Sequence, residues 1–492
     1  MPGLTPQPLC QRLLRTLRGA TINNSNGLSL RGWLLTAAAF HVLIALLVFL
    51  IGHFHLLPNT FDENGIGLTF AADGLLYQRI ISALANALRQ GDFRTWLEIQ
   101  APFHCRLYSF AFVFPGSIVG YNILAAEPLS LIYFLAVLTL VYLLGREIFD
   151  STTGVCAAVV IAMWPSFLLH STQLTRDSLA IVAMLSLLLI LVRLVGGQIK
   201  WRSALLMAIA GASSATLFWV TRGNMWTLVF FELAFTTLLL AILIIRERKA
   251  PLTNLGVLAL IFAAVLFVPP RVESSTVFGS LPPTPLIDVT SSRVQTHSLW
   301  ERLLGQINGR RQAFNRYLGN TSNIDSGVRF DSAGDLLGYV PRAAEIGLFA
   351  PFPRMWFEVG TVGRMARIVA GIETLVMYLF YIPAAVCVWK QRGNLRMWLV
   401  LLFALTSMIG LGFVVANAGA LFRLRYVFWM MMIPLAVKGP QNGTGIPELT
   451  KNRTHQNRTS EEGRFTPADG KEFHGFSWPS AGVTRPSSLV LF

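Results

Sequence analysis

The stretch DGLLYQRIISALANALRQGDF, Asp73 to Phe93, lies between the first two long apolar runs of the chain. Leu76, Tyr77, Ile80, Ile81, Leu84 and Leu88 recur at three- and four-residue steps, the period of one helix face, while Gln78, Arg79, Asn86 and Arg89 fall mostly on the other. An amphipathic helix of this kind is expected to lie along a membrane surface and not across it. Asp73 stands where the helix would begin, its carboxylate able to accept backbone N–H bonds. Gly91 stands where a left-handed residue would close it.

Outward from this stretch the chain is dominated by apolar runs. Of its 492 residues, 53% are hydrophobic and 13% charged, and many runs approach the length needed to cross a hydrocarbon core of roughly 30 Å. The expected class is an all-α polytopic membrane protein. Residues 1–32 carry Arg12, Arg15, Arg18 and Arg31, too long and polar an opening for a cleaved signal peptide, so Trp33–Ile51 is expected to be a retained first span. The apolar patch Leu107–Ala126 is interrupted by Pro115, Gly116, Gly120 and Asn122. If it stays outside, the later spans fall near 128–145, 153–170, 176–194, 203–221, 225–245, 253–269, 368–389, 397–416 and 421–437. Arg146, Arg193, Lys200, Arg202, Arg246, Arg248, Lys390, Arg396 and Lys438 then share the cytoplasmic side with the N-terminus, as positive-inside orientation requires. Ten spans fit and eleven would not.

This scheme divides the chain into a cytoplasmic segment 1–32, a first bundle 33–269 with an external surface-helix loop 52–127, an external loop or small domain 270–367, C-terminal spans 368–437, and a polar tail 438–492. The tail is expected to be disordered and cytoplasmic. Its Asn442, Asn452 and Asn457 triplets would matter only in a lumenal tail. Leu348 to Trp356, rich in proline and apolar residues, would suit the headgroup layer. Cys10, Cys105, Cys156 and Cys387 are scattered and suggest neither a metal site nor a disulfide. The net charge of +15 is what basic span ends produce, and no nucleic-acid partner is expected.

External positions before the tail use arginine and no lysine. A guanidinium binds phosphate through two parallel hydrogen bonds, which an ammonium cannot do, so this face suits a phosphate-bearing lipid. Arg222 in WVTRGNMW, and Arg423 with Arg425 in GALFRLRY, sit at external span ends. Charge near the membrane interior costs about 2.5–3.5 kcal/mol at mid-bilayer on insertion scales and calls for a partner or a task. Snorkelling to headgroups is the plain alternative for Arg425. Glu232, in MWTLVFFELAF, should face the bundle interior, paired with an arginine or protonated. Glu373 is a similar but shallower case. His41 reads as a hydrogen-bonded core histidine.

The pattern of Asp73 followed by Tyr77 and by a helical run ending in Gly91, Asp92 and Phe93 resembles the first external loop of the GT-C class of membrane glycosyltransferases. It is most similar to the aminoarabinose–lipid A transferases and protein O-mannosyltransferases. In that family the equivalent Asp serves the acceptor during sugar transfer, and a Glu usually follows it; here Gly74 follows. The segment LTRDSLA puts Arg176 and Asp177 at the head of the fourth span, where GT-C transferases commonly carry an acidic residue. Asp177 would also complement a helix dipole there, worth roughly 0.3–1 kcal/mol. Asp62 and Glu63, in FDENGIG, form a rival acidic pair.

The resemblance implies catalytic roles for Asp73 and Asp177, with Tyr77, Arg176, Arg222, Glu232, Arg423 and Arg425 as substrate-binding candidates. It implies transfer of a sugar from a polyprenyl phosphate to a glycan, lipid or protein acceptor on the outer face of a bacterial inner membrane. A divalent metal is compatible with this chemistry, but no ligand set for one stands out. A polysaccharide polymerase or O-antigen ligase would share the outline. So would a lipid-linked sugar transporter, which repeated, broken spans would favour.

Overall fold

The computed structural model describes residues 30–57, 68, 73–248, 251–267, 299–316, 322–358 and 364–441. Asp62, Glu63, the stretch 270–298, and the tail with Asn442, Asn452 and Asn457 lie outside the described residues.

Helix α1 is Leu30–His53, and the loop after it contributes α2 (Asp73–Arg89), α3 (Phe93–Glu98), α4 (Phe103–Val113) and α5 (Gly116–Val119). Next come α6 (Ile123–Ile148), α7 (Ser151–Ala162), α8 (Pro165–Ser171), α9 (Asp177–Val195), α10 (Trp201–Arg222), α11 (Thr227–Glu247) and α12 (Leu252–Phe267). The chain continues with α13 (Leu299–Arg316), α14 (Ala333–Phe349), α15 (Arg364–Lys390), α16 (Leu395–Val414), α17 (Ala418–Leu424) and α18 (Tyr426–Lys438). The protein is an all-α integral membrane protein. Among the described residues seven helices are long and apolar enough to span a bilayer by themselves. Two bent helix pairs, α7 with α8 at 70° and α17 with α18 at 56°, are long and apolar enough to span jointly, and α12 is apolar but shorter. Both pairs were expected to be continuous; Pro165 starts α8, where its ring cannot continue the preceding helix.

The core is centred on α9, which is buried almost throughout and packs against α6, α10, α11 and α16. A helix apolar on every side is stable only when surrounded. Its acidic end, Asp177, and its basic end, Arg193, complement the helix dipole. Around Arg193 several helix ends are stitched together. Arg396 donates to the carbonyls of Glu147 and Gly196, at 2.6 Å each. Asn394 donates to Ile148 O at 2.9 Å, Asn254 to Leu194 O at 2.7 Å, and Lys438 pairs with Asp150 at 2.6 Å. These side chains satisfy carbonyls that helix C-termini leave without partners.

The apolar face of α2 packs on protein. Tyr77, Ile81, Leu84 and Ala85 are buried against Cys105, Tyr108 and Phe112 of α4. The helix closes as its glycine requires: Gly91 has φ +73°, Asp92 N–H reaches Ala87 O, and Gly91 N–H reaches Leu88 O. Pro115, and Gly120 at φ +81°, break the apolar patch that follows into α4 and α5, so it does not span.

Helix α14, which ends where the Leu348–Trp356 stretch begins, packs on protein. It runs antiparallel along α16, with Gly347 against the backbone of Met408 and Gly412 against that of Ala343. Glycines at such crossings let two backbones approach closely. The C-terminal end of α14 therefore lies at the level of Met408, about 9 Å inside the end of α16.

Candidate active site

Four side chains from four separate helices meet at the end of the bundle opposite Arg193. Asp177 is the first residue of α9, Arg222 the last of α10, Arg423 lies near the end of α17, and Asp73 begins α2. Asp177 contacts Arg222 through Oδ1 and forms an ion pair through Oδ2 with Arg423 Nε at 3.2 Å. Arg423 also donates to Asp73 Oδ2 at 2.8 Å. One guanidinium thus bridges the two carboxylates, and one carboxylate holds two guanidiniums.

The two acidic groups are not equivalent. The Asp177 side chain is 9% exposed and engaged on both oxygens, whereas that of Asp73 is 47% exposed and held on one. Burial raises the Asp73 pKa, but Arg423, Arg176 and Arg222 outweigh it and leave the carboxyl below its ordinary value. Asp73 is therefore ionised and reachable. Asp177 holds the two arginines, with both of its oxygens engaged.

One helical turn further into the bundle the lining becomes apolar. A cavity is shared by Asp177, Arg222 and Arg423 with Ile181, Phe218, Val427 and Phe428. These residues follow or precede the charged ones by four or five positions, so the same faces of α9, α10 and α18 continue the site inward.

Tyr77 is buried beside this cluster, edge-on to the ring of His104 at 4.4 Å between centroids. Burial, with Arg176 and Arg222 nearby, pushes His104 down to about 3, so it is a neutral imidazole at physiological pH. Arg176 influences Asp73, Tyr77 and His104 electrostatically, and its buried Nε has no hydrogen-bond acceptor among the described residues.

Two expected members belong elsewhere. Arg425 is 1% exposed and neither snorkels nor joins the cluster. It donates to Gly347 O at 3.1 Å and Leu348 O at 3.0 Å, capping the end of α14 together with the hydroxyls of Tyr381, on Leu348 O, and Tyr378, on Phe349 O. Backbone away from water must have its carbonyls satisfied internally, and a cation at a helix C-terminus also meets the dipole. Glu232 is fully buried with neither carboxylate oxygen hydrogen-bonded, so it pairs with none of the arginines among the described residues. Glu373 accepts from Ser166 N–H at 2.7 Å and from the Ser166 hydroxyl, capping α8. His41 bridges Glu127 Oε1 at 2.7 Å and Ser171 Oγ at 2.9 Å.

A supporting set went unnoticed in the sequence. Asn417 Oδ1 caps α17 at Ala420 N–H (3.1 Å), Asn417 bridges to Asn323, and Ile324 N–H donates to Ala416 O at 2.9 Å. The segment around Asn323 is fastened in turn by Asp325, which receives the Arg342 fork at 2.9 and 3.0 Å and the Tyr339 hydroxyl at 2.9 Å. This chain of contacts fixes the start of the short helix that carries Arg423. Only the turn residues in SNIDSG hinted at it, because its partners lie far apart in sequence.

No protein-family model and no curated protein sequence matches the chain. Among solved structures it is similar to the Archaeoglobus fulgidus oligosaccharyltransferase in its apo form, at 15% identity and a TM-score of 0.43, covering 87% of this chain and 52% of that one. It is also similar to the archaeal oligosaccharyltransferase AglB from Archaeoglobus fulgidus in complex with an inhibitory peptide and a dolichol-phosphate, at 14% identity and a TM-score of 0.40, covering 89% and 53%. The chain spans about half the length of the oligosaccharyltransferase chains it matches.

Proposed function

We propose that this chain is a GT-C-like membrane glycosyltransferase that moves a sugar from a polyprenyl-phosphate donor to a glycan, lipid or protein acceptor on the outer face of the membrane. The observation that carries this reading is the pair of guanidiniums, Arg222 and Arg423, held together by the buried Asp177 beside an apolar cavity, with the half-exposed Asp73 alongside. Paired guanidiniums suit a phosphate, and an adjoining apolar wall suits the lipid attached to it.

In the reaction, an acceptor hydroxyl attacks the anomeric carbon and passes its proton to Asp73. The bond from the anomeric carbon to the phosphate oxygen breaks, and its electron pair leaves with the polyprenyl phosphate. Arg222 and Arg423 stabilise the charge that develops on that oxygen. Direct displacement inverts the anomeric centre.

The test is Asp73→Asn, assayed for transfer from a radiolabelled polyprenyl-phosphate sugar pool to cell-envelope glycan, beside thermal unfolding of the purified variant in detergent. General-base assistance is typically worth 10²–10⁴-fold, so transfer should fall by about that factor with little change in stability. Transfer near the wild-type rate would remove Asp73 from the chemistry. A second reading, a transporter of lipid-linked sugar, draws on the two bent helix pairs that meet at this end. It requires movement of the lipid across proteoliposomes that survives Asp73→Asn.

A further inference from the structure

Asp73 and Asp177 compete for one guanidinium under unequal terms. Asp177 is sealed and anchored to Arg222 as well, so it cannot leave Arg423 without exposing a second buried charge. Asp73 is half exposed and touches the cluster through a single contact of 2.8 Å. Arg176 Nε, buried here, has no hydrogen-bond acceptor among the described residues, and Arg423 Nε meets Asp177 Oδ2 at 3.2 Å as an ion pair without hydrogen-bond geometry. Buried donors without acceptors are costly, and a planar carboxylate held on one oxygen does not reach them. A phosphate presents its oxygens tetrahedrally and can meet more than one guanidinium at once. The cavity where such a group would sit is lined by Asp177, Arg222 and Arg423 and not by Asp73.

We propose, resting on the lipid-phosphate reading above, that Asp73 is an internal competitor for Arg423, and that the donor phosphate displaces it when it binds. Asp177 stays in place and keeps both arginines oriented. The displaced carboxylate loses its counter-ion and becomes free to accept a proton only when a donor is seated. The base is thereby withheld until the sugar it is to help transfer has arrived.

The experiment measures binding of farnesyl phosphate, farnesol and inorganic phosphate to the purified full chain in detergent, by intrinsic tryptophan fluorescence, for the wild type, Asp73→Asn and Asp73→Ser. Removing the competitor should tighten farnesyl phosphate binding about two- to fivefold in both variants, the range set by a partly exposed ion pair, and leave farnesol unchanged. Binding that is equal or weaker in both variants overturns the displacement while leaving the lipid-phosphate reading standing. No farnesyl phosphate binding by the wild type overturns both. Inorganic phosphate binding as tightly as farnesyl phosphate, with the same gain in the variants, supports the displacement and overturns the lipid as the ligand.

Discussion

A guanidinium set between two carboxylates has little freedom, and Arg423 is held in that way by Asp73 at 2.8 Å and Asp177 at 3.2 Å. Arg222, on the other oxygen of Asp177, completes the clamp. Replacing Arg222 with lysine keeps the charge but not the planar fork, so it cannot hold Asp177 and a phosphate together. Farnesyl phosphate binding should weaken by about 1.5–3 kcal/mol, roughly ten- to a hundredfold. Unchanged affinity in Arg222→Lys would reduce this arginine to an anchor. The acid side of the pH profile follows from Asp73. Its carboxyl sits below the ordinary value of 3.8, so in the free protein it stays ionised down to that region. The acid limb of kcat/KM, which reports the free enzyme, should therefore lie below about pH 4. The limb of kcat should lie higher, because the bound donor has taken Arg423 away. Arg423→Gln should raise the limb of kcat/KM toward that of kcat; coincident limbs in the wild type would contradict the assignment.

At the scale of elements, α14 explains why the Arg425 charge is buried. Its end is closed by Arg425 and two tyrosine hydroxyls, and its approach to α16 depends on Gly347 and Gly412. Arg425→Met removes two charge-assisted hydrogen bonds, each worth about 1.5–3 kcal/mol, and strands the Gly347 carbonyl away from water, while Leu348 O keeps the Tyr381 hydroxyl. Tyr381→Phe removes one neutral bond, worth about 0.5–1.5 kcal/mol. Thermal unfolding in detergent should rank Arg425→Met well below Tyr381→Phe, and equal midpoints would show that Arg425 does not cap. Gly347→Val, which drives a side chain into the backbone of Met408, should be as damaging as Arg425→Met. The apolar face of α2, its glycine stop and the break at Pro115 were legible in sequence because local spacing and backbone chemistry determine them. What covered that face was not, since α4 and the membrane surface are equally apolar. The positions of Arg425 and Asp325 were hidden for a related reason: their partners, Leu348 and Arg342, are set by tertiary packing and leave no spacing to read.

For the whole molecule, the sidedness of the chain rests on how many segments pass from the Asp73 end to the Arg193 end. Between Asn122 and Lys200 lie α6, the broken pair α7–α8, and α9. The pair passes through the bundle and does not turn back. Its start is held at the Arg193 end, where Lys438 pairs with Asp150, while its exit leads within five residues of Ser171 to Arg176 beside the site. The last broken span behaves likewise, with Arg423 at one end and Lys438 at the other. Three passages therefore separate Asn122 from Lys200, and two more, α10 and α11, return Glu247 to the side of Lys200. Positive-inside orientation would put the basic residues of the Arg193 end inside, and the proposed function then requires Asn122 and the site to face outward. Single cysteines at 122, 200 and 247 test this, introduced after Cys10, Cys105, Cys156 and Cys387 are replaced by alanine. A membrane-impermeant maleimide applied to intact cells should label position 122, and label 200 and 247 only after permeabilisation. Labelling of 200 and 247 with protection of 122 would invert the protein and put the site on the cytoplasmic face. Labelling of 122 and 200 together would mean that the broken pair turns back, and the count of passages would be wrong.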